Sequence, residues 1–187
     1  SDGRHLAYTS HKGGKPDIYI RNLADKKETV ISQVGLNITP AWAPERFELA
    51  ATMSFSGDQE IYLLTGSGKM IKKLTNVKGS DVSPTWSPDG RKIAFVSNRT
   101  GGPQIYILDL DSGAERRLTF EGKYNTQPSW SPRGDKIAYS SQVGGMHQIF
   151  VIDVEGRSPL QLTREGGDSE SPSWSPDGSL IVFNSTR

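Results

Sequence analysis

Residues 84–119 read PTWSPDGRKIAFVSNRTGGPQIYILDLDSGAERRLT, and this stretch decides the fold. Trp86 lies between Pro84 and Pro88, and the pattern returns at Pro40-x-Trp42-x-Pro44, Pro128-x-Trp130-x-Pro132 and Pro172-x-Trp174-x-Pro176. The four Trp are each 44 residues apart. A turn pair follows at Asp89-Gly90, Arg133-Gly134 and Asp177-Gly178, with Asp2-Gly3 as a truncated first copy. An apolar triplet keeps the same beat: Ile18-Tyr19-Ile20, Ile61-Tyr62-Leu63, Ile105-Tyr106-Ile107 and Ile149-Phe150-Val151. A period in the forties built from short strands is the signature of propeller blades.

Within one period four strands are expected. The first carries Pro-x-Trp-Ser-Pro, and Asp-Gly, a favoured pair where φ is positive, reverses the chain. The second is Lys92–Val96, the third Gln104–Leu108 after a Gly-rich loop, and the fourth Arg116–Thr119. The third and fourth fit two-residue alternation only loosely, as strands covered on both faces do. No segment of ten or more residues carries a helical apolar pattern, so essentially no helix is expected.

The fold class is therefore all-β: blades of four antiparallel strands on a 44-residue repeat. The blades are expected at about 1–37 (partial), 38–81, 82–125, 126–169 and 170–187 (partial), or 17 strands and about four and a quarter blades. A blade cannot cover both its faces alone. The opening Ser1-Asp2-Gly3 reads as a cut through a repeat, so an open arc of a larger ring is favoured over a closed four-bladed one. The second copy departs from the pattern, with Ala43-Pro44-Glu45-Arg46 where the others read Ser-Pro-Asp/Arg-Gly.

Composition narrows the function. The formal net charge of +1 gives no bulk drive toward nucleic acid or an anionic membrane, and no stretch has the length of a membrane-spanning helix. Cys is absent, which excludes disulfides and thiolate metal sites. His5, His11 and His147 show no metal-ligand spacing, and no Gly-x-Ser-x-Gly elbow occurs. Gly66-Ser67-Gly68-Lys69 lacks the other parts of a phosphate loop. Asp109-Leu110-Asp111-Ser112-Gly113 lacks the remaining ligands of a calcium loop and reads as a turn. Identical Asp residues, one per repeat, do not make an acid–base pair. No catalysis is expected.

The repeat Leu74-Thr75, Pro84-Thr85-Trp86-Ser87-Pro88-Asp89-Gly90, Ile93-Ala94-Phe95, Ile105-Tyr106, Asp109 resembles that of TolB-type propellers. The resemblance covers the whole chain. It implies a six-bladed ring, of which this chain would be a piece, in a periplasmic protein. It also implies a non-catalytic role in the Tol-Pal envelope system, with a Pal-type peptidoglycan-associated lipoprotein and other Tol proteins as partners. Some such propellers hold calcium in the central channel, but no diagnostic ligand set is seen here and no cofactor is expected. Similar blades occur in the propellers of prolyl-oligopeptidase-type peptidases, the alternative reading.

In TolB-type propellers the residues just before Pro-x-Trp contribute to the Pal-binding mouth. By motif position these are Thr39, Ser83, Gln127 and Ser171, with their neighbours Ile38, Val82, Thr126 and Glu170; the family's usual acidic residue before Pro is absent here. The loops leading into this motif vary most along the period and carry polar residues, among them Asn37, Asp81, Asn125 and Asp168. Variable loops are where repeat proteins bind. The expected partner-binding set is thus Ile38, Thr39, Asp81, Val82, Ser83, Asn125, Thr126, Gln127, Glu170 and Ser171.

Overall fold

The computed structural model describes residues 3–55, 57–164 and 166–187. Ser1, Asp2, Ser56 and Glu165 lie outside the described residues. With them go the Asp of the expected Asp2-Gly3 turn and one residue each of the loops 54–59 and 164–171.

Among the described residues the structure is all strand and turn. A three-stranded sheet comes first, of β1 (His5–Ser10), β2 (Asp17–Asn22) and β3 (Glu28–Ile31). Next are β4 (Asn37–Trp42), β5 (Glu48–Met53), β6 (Glu60–Thr65) and β7 (Met70–Lys73), in that order across one sheet. The third sheet holds β8 (Asp81–Trp86), β9 (Lys92–Ser97), β10 (Gln104–Asp109) and β11 (Glu115–Arg117). The fourth holds β12 (Asn125–Trp130), β13 (Lys136–Val143), β14 (Met146–Asp153) and β15 (Leu160–Gln161). A final pair, β16 (Ser169–Trp174) and β17 (Ile181–Ser185), ends the chain. Neighbours in sequence are neighbours in each sheet, as the propeller-blade reading requires.

The chain divides into two compact units, Ser1–Pro84 and Thr85–Arg187. In the first unit, Ile18, Ile20 and Ile31 of one sheet meet Leu49, Ala51, Met53, Tyr62 and Leu64 of the next, with Ala7 and Trp42 packed alongside. Ala50 and Thr52, the intervening residues of β5, are equally buried. This two-sided burial is why the second and third strands read as near-continuous apolar runs. The second unit repeats it with Ile93–Val96, Ile105–Leu108 and Ile137–Tyr139, all buried.

The Ser-Pro-Asp-Gly turn is a four-residue loop. Ser87 N–H donates to Lys92 O at 2.9 Å, and Gly90 N–H donates to Ser87 O at 2.9 Å. Gly90 has φ 67°, the left-handed region that Gly enters without steric cost. The departing second copy keeps the closing bond, Ala43 N–H to Glu48 O at 2.9 Å, but moves the left-handed residue forward to Glu45, φ 57°. Phe47 then lies against Trp42 and His5, with ring centroids 5.4 Å and 4.9 Å away.

Fourth strands are shorter than expected: β11 stops at Arg117, short of Leu118-Thr119. Thr119 turns its hydroxyl back to accept the Ile105 N–H at 2.9 Å, so a side chain replaces the next ladder rung. Thr75 and Thr163 do the same for Ile61 and Ile149.

Hydrogen bonds in the turns hold several carboxyls below their usual range. The Ser175 hydroxyl, then the Ser179 hydroxyl and N–H, hold Asp177 down to about 2. Ser87 and the Arg91 N–H lower Asp89, and the Ser112 N–H and hydroxyl lower Asp109. A carboxyl with its folded pKa below the unfolded value, roughly 4, stabilises fully above that value and loses its contribution as pH falls through the folded pKa. Urea midpoints are therefore expected to hold from neutral pH to roughly pH 4 and to fall progressively toward pH 2, with a shallower fall in Asp177→Asn.

Candidate binding site

The first strands β4, β12 and β16 carry a bulge at the motif. Register breaks between Ile38 and Ala41 in β4, Thr126 and Ser129 in β12, and Glu170 and Ser173 in β16. At the break the residue before Pro is left-handed: Thr39 φ 49°, Gln127 φ 54°, Ser171 φ 54°, and likewise Ser83 in β8, φ 56°. None is Gly, and this conformation costs an L-residue on the order of 1 kcal/mol. Proline accounts for the gap in the ladder, because it has no N–H to donate there.

The displaced amides find partners one sheet back. In the first unit Thr39 N–H donates to Thr9 Oγ1 at 3.0 Å, and Ser83 N–H donates to Thr52 Oγ1 at 3.2 Å. Thr39 and Thr52 hydroxyls share a 2.7 Å hydrogen bond. In the second unit the Gln127 side chain takes over, its Oε1 accepting from Ser140 Oγ at 2.8 Å and from Ser171 N–H at 2.9 Å. The strained position thus stitches neighbouring sheets as well as shaping the strand end.

Two of the expected contacts lie inside. Asp81 and Asn125 are both fully buried. Asn125 Nδ2 donates to Gln104 Oε1 and to Glu121 O, both at 2.8 Å, and Thr119 Oγ1 donates to the same Gln104 Oε1 at 2.8 Å. Asn37, also fully buried, pairs with Asp17 Oδ1 at 3.0 Å. Burial opposes ionisation of Asp17, but hydrogen bonds from Lys15, Ser32 and Asn37 outweigh it and lower its pKa. These residues fasten the variable loops from below.

The remaining expected contacts keep access to solvent. Ile38, Thr39, Val82, Ser83, Thr126, Gln127 and Glu170 are half-buried, and Ser171 is exposed. Glu170 belongs to a cluster in the second unit that sequence reading did not assemble. Its Oε1 lies 3.3 Å from His147 Nδ1, and Asp168 Oδ1 lies 3.4 Å from the same nitrogen. Asp168 Oδ1 also accepts the His147 N–H at 2.8 Å, and the Tyr124 ring meets the imidazole edge-on at 5.7 Å. The available signal was the coincidence of His147, the second residue of β14, with the polar loop entering β16. Among the described residues no three His, Asp or Glu cluster closely enough to hold a metal ion. In each unit these positions offer hydrogen-bonding groups and half-buried apolar side chains, and in the second a carboxylate as well.

Known proteins share this design. A family model described as the TolB beta propeller domain matches residues 1–187. The Tol-Pal system protein TolB of Desulfosudis oleivorans is 59% identical over 79 residues, 42% of this chain and 18% of that protein. A TolB homolog of Chlorobium chlorochromatii is 56% identical over 78 residues, again 42% of this chain and 18% of the relative. The crystal structure of TolB from Acinetobacter baumannii superposes with a TM-score of 0.86 at 35% identity, covering 97% of this chain and 46% of that one. The matched segments span about a fifth of these two curated relatives. The tricorn protease, at 16% identity and a TM-score of 0.68, shares the fold alone.

Proposed function

The chain belongs to the TolB β-propeller domain family, and from that premise we propose that it is a non-catalytic, periplasmic protein-binding module of the Tol-Pal envelope system. Its main partner is a Pal-type peptidoglycan-associated lipoprotein, with other Tol proteins as further partners. The observation that carries this reading is the left-handed residue before every Pro-x-Trp, which holds a half-buried or exposed pair at the same strand end in each repeat. Strain retained at one position of every copy is the mark of a shape that matters. The contacts are Ile38, Thr39, Val82 and Ser83 in the first unit and Thr126, Gln127, Glu170 and Ser171 in the second. Asp81 and Asn125 support them from the interior.

Calorimetric titration with the soluble domain of a Pal-type lipoprotein tests this. Saturable binding is expected, weakened about tenfold by Thr126→Lys, which puts a long charged side chain where a short one would meet the partner, a loss of about 1.4 kcal/mol. Thr126 is the better probe than Gln127, whose side chain also stitches the sheets. A folded chain that does not bind, or a Thr126→Lys variant that binds as tightly, overturns the assignment.

A further inference from the structure

The opposite ends of the strands, where the Ser-Pro-Asp-Gly turns lie, hold a cleft of about 310 Å³ within the second unit. Exposed Pro88 contributes apolar surface to it, the largely buried Trp130 and Ile107 line its floor, and Lys92, Arg116 and Arg133 contribute cations. Two carboxylates also line it, Asp89 and Glu155, and both are engaged. Asp89 accepts from the Ser87 hydroxyl at 2.5 Å and from the Arg91 N–H at 3.1 Å, and Glu155 pairs with Arg157 at 3.3 Å. Nearby Asp109 is taken up by the Ser112 N–H and hydroxyl, at 2.9 and 2.8 Å. The cations are less committed: Lys92 lies near enough to help lower Asp89 and Asp109 but forms no ion pair with either. Arg116 donates to the neutral Val154 carbonyl. Among the described residues none of the three forms an ion pair with a carboxylate.

Arg133 is the telling residue. It occupies the turn position that is Asp89 in one repeat and Asp177 in another, where the carboxylate caps the turn through the Ser hydroxyl, at 2.5 Å in both. In its own repeat the cap has moved two residues on, and Ser131 Oγ donates to Asp135 Oδ1 at 2.8 Å. The turn keeps its carboxylate while its tip is released to carry a guanidinium.

We propose that this cleft binds an acidic peptide segment of a protein partner, with carboxylate side chains on Lys92, Arg116 and Arg133 and an aliphatic side chain against Pro88 and the edge of Trp130. Charge complementarity selects the acid, and the apolar surface selects a peptide over a bare inorganic anion. The surface is separate from the bulge residues, being at the other end of the same strands.

Fluorescence anisotropy with a labelled Gly-Glu-Leu-Glu-Leu-Glu-Gly peptide, and with its Gln-for-Glu counterpart, tests the proposal on the full chain. The acidic peptide should bind saturably and about tenfold more tightly, with affinity falling as salt rises. Arg133→Asp should weaken it about tenfold while leaving the melting temperature unchanged, because Asp is resident at this position in two other repeats. Thr126→Lys should leave it unchanged. Equal binding of the two peptides, no saturable binding, or full affinity in Arg133→Asp overturns the proposal.

Discussion

Thr119→Val is expected to cost about 2 kcal/mol and to lower the melting temperature by roughly 5 °C, although Val has nearly the shape of Thr. Thr119 is 1% exposed, and its hydroxyl works in both directions. It accepts the Ile105 N–H at 2.9 Å and donates to Gln104 Oε1 at 2.8 Å. Valine removes both at once and leaves a buried backbone N–H with no acceptor, and an orphaned donor costs its full desolvation penalty. Gln104 Oε1 keeps the bond from Asn125, so the loss falls mainly on Ile105. Thr119→Ser restores the hydroxyl and should recover most of the stability. Thermal melts of the two variants decide it: a Val variant as stable as the parent would show that the Ile105 N–H finds another acceptor.

This substitution also marks where sequence reading reached and where it stopped. The 44-residue spacing of Trp42, Trp86, Trp130 and Trp174 made the blade order legible, because a repeated bulky residue reports a repeated environment. The Leu-Thr dipeptide was visible as a motif, but its role was not, and it was read as the end of a strand. The hydroxyl's partners are a backbone group 14 residues away and a side chain 15 residues away, which no local pattern announces. The left-handed backbone at Thr39, Ser83, Gln127 and Ser171 was hidden for a similar reason: none is Gly, and their amides and side chains find partners in distant parts of the chain. Asn125 and Asp81 stood among the expected partner contacts. They are instead the first residues of their strands and point the polarity of the loop inward. Position in the motif located the strand end where binding is proposed, and burial then divided its residues between those that support it and those that can touch a partner.

Leu118→Ala should be costlier still, about 3 kcal/mol by urea unfolding, and the repeat supplies its own control. Leu118 is 0% exposed, whereas Leu162, at the same place in the next repeat, is 46% exposed. The same truncation at Leu162 removes side chain that water already reaches and should cost under about 1 kcal/mol. Leu118 is fixed from two directions. Its N–H donates to Ile105 O at 2.8 Å. On the other side Gly156 of the following repeat comes so close that a Cβ there would lie 2.9 Å from the Leu118 carbonyl oxygen and 3.5 Å from its Cδ1. Gly156 is itself left-handed, φ 85°, so the approach depends on a residue without a side chain. Backbone held this tightly on both sides cannot collapse into the space an Ala would leave, so the cavity term adds to the lost transfer energy. Leu118→Met, which nearly conserves volume, should cost less than about 1.5 kcal/mol. Equal losses at Leu118 and Leu162 would mean that the denatured chain, and not the packing between successive repeats, sets the cost.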